Sequence, residues 1–540
     1  MDNHKKAFSA QHIAGHLTLP LLAVSLLSSC GSSMLYGYNL AVVNSPSEHI
    51  KAFYNNTWLQ RYGESLPSSP LTILYALTVS IFAIGGMLGS LLVGVLVSRF
   101  GRKGTVIKSS PLVFIAGALM GFSRIAGSPE MVIFGRFITG IHSGISLSVV
   151  PMYLGEISPK NLRGFLGLMP SLFICLGVFT AQVLGLPELL GQDEYWPLFL
   201  SLIVVPTLIQ VSMLPFFPES PRYLLIDKGN VHATIDGFLF LGAGAISCNG
   251  AVMDLENQIT ALRCFRGEYD VHDVIEEMQE EQQSLTSVKT VSVCQLLMDR
   301  TLFWQILSVV VINMGMQLSG IDAIWFYTNS IFENAGVPLA EIPYTTVGTG
   351  VIEIIAGLIG CFTVEKLGRR PLIIGGFSFM GFCCAGITVA LVFQARIPLM
   401  RYASVIFVIG IIAGFCIGPA GLPFIMTGEL FMQSHRPAAY IVGGTLNWLS
   451  NFTVGFVFPF LQMSAGAFSY LVFCAVCLFV AVYVYFIIPE TKNKTFLEIS
   501  EMFSKEKSLS KPVILVDDVK LKRFNGYGAL ESSSLEYSLP

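Results

Sequence analysis

Charge is what this chain has least of. Only 12% of its 540 residues are Asp, Glu, Lys or Arg, while 53% are hydrophobic; a soluble globular chain carries about a quarter charged residues. The few charges nearly cancel, 32 basic against 35 acidic, so no nucleic-acid partner is expected. Eleven cysteines occur without a paired CxxC spacing, many inside apolar runs. That pattern argues against a metal site or a disulfide framework and leaves them as small core residues. No P-loop and no HExxH pattern is present, and nothing marks any of the eight histidines as part of a triad. An enzyme is therefore not expected, nor a cofactor or metal. The N-terminal stretch 1–16 is polar and shows no small-residue cleavage pattern before the first apolar run. No cleaved signal peptide is therefore expected, and that run is expected to stay as an anchor.

What the chain has in abundance is long apolar runs, with a mean hydropathy of +0.66. A membrane-spanning helix needs about 20 such residues. Runs that qualify lie near 17–43, 71–97, 105–123, 131–154, 164–186 and 197–217, then near 302–328, 344–364, 371–394, 402–428, 438–462 and 467–488. The expected order is a cytosolic N-terminus (1–16), a six-helix bundle (17–217), a cytosolic linker with helices (218–300), a second bundle (301–488) and a mostly disordered cytosolic tail (489–540). Within the linker, 237–259 is apolar, rich in Gly and Ala, and reads as an atypical insertion without assignable function. Lys and Arg in short loops set orientation. Arg99, Arg102, Lys103, Lys108, Lys160, Arg163, Lys366, Arg369, Arg370 and Arg436 fall on one side. Lys51, Arg61, Arg124, Arg396 and Arg401 fall on the other, which places both termini in the cytosol. Asn55-Asn56-Thr57, on the outer side, makes Asn55 a candidate glycosylation site.

The halves repeat one another. Arg99-Phe100-Gly101-Arg102-Lys103 returns as Lys366-Leu367-Gly368-Arg369-Arg370, Glu156 with Arg163 as Glu429 with Arg436, and Pro218-Glu219-Ser220 as Pro489-Glu490-Thr491, each at an interval of about 270 residues. A duplicated six-helix unit is a transporter architecture, with substrate between the halves near the midplane. The charged motifs place Arg99, Arg102, Glu156, Arg163, Glu365, Arg369, Glu429 and Arg436 at the cytosolic helix ends. Pairs among them are suited to latch those ends when the cavity opens outward and to part when it opens inward.

The run Met316 to Tyr327 puts an amide, a hydroxyl, a glycine and an acid at bilayer depth, where polar groups are costly unless they face a partner or a cavity. Gly320 allows a helix break of the kind that lines cavities. Gln317 and Asp322 are candidate ligands for a small polar solute, with Trp325, Phe326 and Tyr327 as apolar contacts. For Ser319, simple bonding to a neighbouring helix is an equal alternative.

These motifs resemble the facilitative sugar transporters of the major facilitator superfamily over roughly residues 17–505. Carrying the resemblance are the charged motifs above, Gly135-Arg136-Phe137, Gln317-Leu318-Ser319-Gly320, Gly418-Pro419 through Pro423, Asn447-Trp448 and Pro489-Glu490-Thr491-Lys492. Trp325-Phe326-Tyr327 and the surroundings of Leu184-Gly185-Leu186-Pro187 resemble its class II branch, which holds fructose, glucose and urate carriers. The resemblance implies an all-α membrane protein with twelve helices in two six-helix parallel repeats, in the plasma membrane. It implies that Gln317 and Asn447 face the substrate, and that Tyr36, Leu40, Ile321, Phe424, Trp448 and Asn451 line the pocket. The chain departs from the family pattern at Ser171 (usually Gln), Asp322 and Glu353 (usually Asn) and Phe424 (usually Trp). These four are counted with the candidate substrate site.

The function so implied is facilitative hexose uniport by alternating access, with urate uniport of the same branch as the alternative. An ionised Asp322 would repel urate and accept hydroxyls of a hexose; protonated or paired, it suits either. Proton-coupled symport, through Asp322 and Glu353, and a sugar sensor with little transport remain further alternatives. Against coupling, the first span has no acid of the kind that proton-coupled relatives carry there. The expected partners are the small-molecule substrate and the lipid bilayer, with no obligate protein partner evident.

Overall fold

Uninterrupted apolar sequence satisfies its backbone internally, and helices are the direct way to do so in a bilayer. The computed structural model describes residues 19–158, 163–217, 219–220, 223, 291–394, 396–431, 435–492, 494, 498–499 and 502–503. The expectations for 1–16, for the 237–259 insertion, for most of the linker and for the tail beyond 503 lie outside the described residues. So do those for the side chains of Arg163 and Glu365.

The described chain is helical, without a strand. The first half contains α1 (Leu19–Ser28), continued through a wide turn at Ser29–Ser33 into α2 (Met34–Ala41), then α3 (Ser47–Tyr62), α4 (Ser68–Phe100), α5 (Arg102–Phe122), α6 (Pro129–Ile157), α7 (Arg163–Leu184), α8 (Trp196–Ser201) and α9 (Val204–Met213). The second contains α10 (Val293–Met298), α11 (Phe303–Leu318), α12 (Ile321–Asn334), α13 (Ile342–Leu367), α14 (Arg369–Phe393), α15 (Met400–Ile417), α16 (Leu422–Glu429), α17 (Arg436–Ala465) and α18 (Ser469–Ile487). Among the described residues, ten segments are long and apolar enough to cross a membrane. One of these, Arg436–Ile487, is α17 and α18 joined by a tight turn at Gly466–Phe468. The shorter apolar helix Met169–Leu184 completes twelve crossings.

Several crossings are broken where the sequence weakens the helix. Gly320 has φ +93°, between α11 and α12, and a Cβ there would lie 2.6 Å from the Phe473 ring. Only glycine combines that backbone with that contact. The tenth crossing breaks between α15 and α16, at the Gly418–Gly421 stretch, which contains Pro419 and is followed by Pro423. The polar helix α3, in the loop between the first two crossings, carries no apolar signal. Its Tyr54 hydroxyl bonds Thr78 on α4 at 2.8 Å.

Within the first half α4 and α6 approach to backbone contact: a Cβ at Gly85 would meet Phe137 O, and one at Gly144 would meet Gly86 O, each at 2.1 Å. Between the halves, α4 packs on α17 and α7 on α13. One end of the bundle carries Gly101, Gly368 and the basic motifs. The other, where α2 meets α12, is its capped end.

Candidate substrate site and charged ends

The break at Ser319-Gly320 places the end of α11 and the start of α12 against α17. With the Gln317 amide turned so that both of its ends are satisfied, its nitrogen donates to Asp322 Oδ2 at 2.6 Å and Oδ1 at 3.2 Å. Its oxygen then accepts from Asn447 Nδ2 at 3.2 Å. Asn451 Nδ2 donates to Asp322 Oδ1 at 2.8 Å, so Asn447, Gln317, Asp322 and Asn451 form one continuous chain. Asp322 is fully buried and the other three nearly so. A buried carboxylate needs several donors, and here two protein amides supply them. Ser319 Oγ bonds Met316 O at 2.7 Å, so its hydroxyl serves the backbone at the break.

Trp448, one residue beyond Asn447, projects into the first half. Its ring fills the space over Gly86, where a Cβ would be 2.4 Å from it, and its Nε1–H donates to Ser90 Oγ at 2.8 Å. Tyr36 meets the same ring edge-on at 5.9 Å and Phe82 lies 6.2 Å from it. Leu40 and Ile321 are buried in the adjoining apolar core. The structure thus unites Gln317, Asp322, Asn447 and Asn451, and places Tyr36 against Trp448. It does not bring every candidate to that set. Phe424 and Ser171 are exposed. Glu353 instead takes Trp325 Nε1–H on Oε2 at 3.2 Å, beside Cys175 and Cys416. His142 is buried and its Nε2 bonds Ser146 Oγ at 3.3 Å. Asn55 lies within α3, its Oδ1 accepting Leu66 N–H at 2.8 Å, with Thr57 buried.

The charged ends repeat one another closely. In the first half Arg102 Nε and Nη2 reach Glu156 Oε1 at 3.0 and 2.9 Å, and Ser220 Oγ donates to Glu156 Oε2. Glu219 accepts the backbone N–H of Arg102, Lys103 and Gly104 at 2.8–3.0 Å. In the second, Arg369 Nε and Nη2 reach Glu429 Oε1 at 3.3 and 3.1 Å, and Thr491 Oγ1 donates to Glu429 Oε2 at 2.5 Å. Glu490 accepts the N–H of Arg369, Arg370 and Lys492 at 2.9–3.1 Å. Each acid caps the positive N-terminus of a helix. Burial alone would raise the Glu490 carboxyl, but the backbone donors together hold it below the usual carboxylate range. Gly101 and Gly368 have φ +79° and +94°, and a Cβ would fall 2.5 Å from Glu219 and 2.8 Å from Glu490. In the sequence Glu219 and Glu490 stand out only as repeat markers; each lies just past the end of a helix and reaches across to the start of another, a pairing that no local spacing indicates. Arg99 lies over the Phe100 ring, and Arg436 Nε donates to Phe431 O at 3.0 Å. Each of these two ion pairs lies within its own half, Arg102–Glu156 in the first and Arg369–Glu429 in the second.

Polar contacts between the halves run from mid-bundle to the capped end. Asn44 and Asn329 bond reciprocally at 3.0 and 3.1 Å. Gln182 Nε2 reaches Thr349 Oγ1 at 3.4 Å, and the Tyr344 hydroxyl donates to Glu188 at 2.5 Å. Two pseudo-equivalent bundles, closed at one end and with a polar chain at a broken helix between them, are the architecture of an alternating-access carrier.

A family model described as "Sugar (and other) transporter" matches residues 24–237 and 253–503. This chain belongs to that family. Among its relatives, facilitated glucose transporter member 9 of Homo sapiens is 47% identical over 497 residues, spanning 92% of this chain and 88% of that protein. Facilitated glucose transporter member 5 of Equus caballus is 43% identical over 506 residues, 94% and 96% of the two chains. The xylose transporter XylE from E. coli, solved in an inward open conformation, superposes with a TM-score of 0.69 at 22% identity, covering 89% of this chain and 99% of that one. A partially occluded inward open form gives the same TM-score. The sugar transporter described here therefore has the major facilitator superfamily fold, and it is a multi-pass membrane protein.

Proposed function

We propose that this sugar transporter carries a hexose, fructose or glucose, down its gradient by alternating access. The observation that carries this reading is the amide–carboxylate chain at the α11–α12 break: a few oriented polar groups between two bundles, walled by Trp448 and Tyr36, suit a polyhydroxyl solute. The relatives' names support the hexose class. The basic end is the cytosolic one, so closure of the capped end makes this an inward-facing conformation in the plasma membrane, with both termini in the cytosol. In the opposite state Arg99, Arg102, Arg163, Glu365, Arg369, Glu429 and Arg436, with Glu156, act as the latch by contacts across the halves; the Arg102–Glu156 and Arg369–Glu429 pairs, made within each half, stay formed in this inward-facing state. Charge reversal at Arg99 or Glu429 then shifts the inward population, read as a change in the ratio of inner to outer inhibitor affinity. An unchanged ratio contradicts the latch.

Urate is the second reading, and one feature favours it. Two amides already meet the Asp322 carboxylate, so its charge is less of a bar to an anion than an unpaired acid would be. Proton coupling has less support: buried Arg136 donates to Asn39 O at 2.8 Å and to Asn39 Oδ1 at 3.3 Å, an amide that cannot exchange a proton near neutral pH. Tracer uptake of fructose, glucose and urate in oocytes, for the native chain and Gln317→Ala at matched surface amounts, separates these readings. Saturable hexose uptake with a raised KM in Gln317→Ala supports the proposal. Urate uptake alone, or no uptake of the three by protein at the surface, contradicts it.

A further inference from the structure

Three side chains outside the polar chain at Gln317 meet where the halves touch. Cys175 on α7 belongs to the first half; Glu353 on α13 and Cys416 on α15 belong to the second. The two Sγ atoms and a carboxylate oxygen all lie within 4.8 Å of one another. Glu353 is 1% exposed, and the Trp325 indole N–H holds its Oε2. Trp325 is in turn fixed edge-on against Phe415, the neighbour of Cys416, at 5.5 Å. Gly357, one turn along α13 from Glu353, faces α7 at Cys175: a Cβ there would be in ordinary contact with Cys175 Sγ at 3.4 Å.

Two thiols and a carboxylate favour zinc or cadmium over magnesium or calcium, because thiolate is a soft ligand. Zinc holds sulfur at about 2.3 Å and carboxylate oxygen at about 2.0–2.2 Å in a tetrahedral site, so donors to one ion stand about 3.5–3.8 Å apart. The observed spacing reaches that with small side-chain rotations. A hydrogen-bonded carboxylate with a fixed partner is also what supports a metal ligand from outside its first layer. The three residues come from separate crossings, so no local spacing in the sequence could reveal them; the expectation that the cysteines serve only as core residues considered spacing alone.

We propose that Cys175, Glu353 and Cys416 form an inhibitory site for a soft divalent cation, zinc or cadmium, which on binding ties the first half to the second. Both thiols release a proton to solvent as the two metal–sulfur bonds form, Glu353 binds as the carboxylate, and water completes four-coordination. Because the ligands come from both halves, an ion bound to all three favours the conformation seen here over one in which the halves have turned apart. Ion binding does not depend on what the protein transports; only the inhibition rests on the transport reading.

The test uses the purified, reduced full-length protein titrated with cadmium and followed by the thiolate-to-cadmium charge-transfer absorption. Cys175→Ser, Cys416→Ser and Glu353→Gln are titrated beside it, with thermal melting to verify folding. The expected result is a saturable band in the native protein and affinity reduced at least about tenfold in each variant. Zinc should reversibly inhibit tracer uptake by the native chain, with recovery on chelation. Cys175→Ser and Cys416→Ser should keep ordinary basal uptake and escape inhibition. An identical band in folded variants, no band in the reduced native protein, or a Cys175–Cys416 disulfide in protein isolated from membranes overturns the site. A cadmium band without any inhibition of measurable uptake overturns the tie between the halves. If no hexose is carried at all, the binding result still decides the site and the failure belongs to the transport reading.

Discussion

Asp322 shows how the meaning of a residue depends on what satisfies it. As an isolated acid at bilayer depth it suggested either a direct sugar ligand or a proton site. Bonded to the amides of Gln317 and Asn451, it orients both, and Gln317 passes that order on to Asn447. Asp322→Ala removes both acceptors and leaves the Gln317 and Asn451 N–H groups without their charged partner, a loss of about 1.5–3 kcal/mol for each bond. The hexose KM should rise about tenfold or more at unchanged surface amount; transport kinetics in oocytes measure it, and an unchanged KM contradicts the positioning role. Gln317 and Asp322 were legible in sequence because polar groups in an apolar run need a reason. The partnership of Glu353 with Trp325 was not, since nothing in the α13 sequence indicates which crossing its carboxylate faces.

At the scale of elements, the broken helices and the capped helix starts follow from local chemistry. Gly320 combines a positive φ with contact to Phe473, so Gly320→Ala should cost about 1–3 kcal/mol in backbone strain. Thermal melting should fall, whereas Gly348→Ala, with nothing within 4 Å of the added Cβ, should leave it unchanged or slightly raised. Equal melting of the two variants contradicts the strain. Glu490, whose carboxyl is held below its ordinary range, contributes stability that is complete above the unfolded carboxylate pKa and is lost as pH falls through the lower folded value. Glu490→Gln should therefore melt lower at neutral pH and lose less on acidification than the native chain. Parallel melting curves across that range contradict the cap. The glycines and prolines announced these breaks, and the repeated motifs announced the charged ends. The α3 helix is not legible in the sequence because its sixteen residues are largely polar and take their order from packing on α4.

At the scale of the molecule, the repeats in sequence became two bundles joined by α4 on α17 and α7 on α13. Which end closes was not legible: Asn44, Asn329, Glu188 and Tyr344 are ordinary loop and helix-end residues until the fold sets them opposite one another. Tyr344→Phe removes the hydroxyl that Glu188 accepts and should open the capped end more often. Modification of a cysteine placed at Asn329 by an impermeant thiol reagent should then be faster than in the same cysteine variant with Tyr344 intact; equal rates contradict a role for this contact in closure.

The claim on which the rest depends is passive hexose movement between alternately open halves, and proteoliposomes test it directly. Purified protein is reconstituted, loaded with unlabelled hexose and given labelled hexose outside, with and without a proton gradient. The expected result is counterflow of fructose or glucose, abolished by excess hexose on the outer side, and equilibration without net accumulation whichever way the proton gradient points. Accumulation driven by an alkaline interior, or liposomes that exchange urate and no hexose, would contradict it.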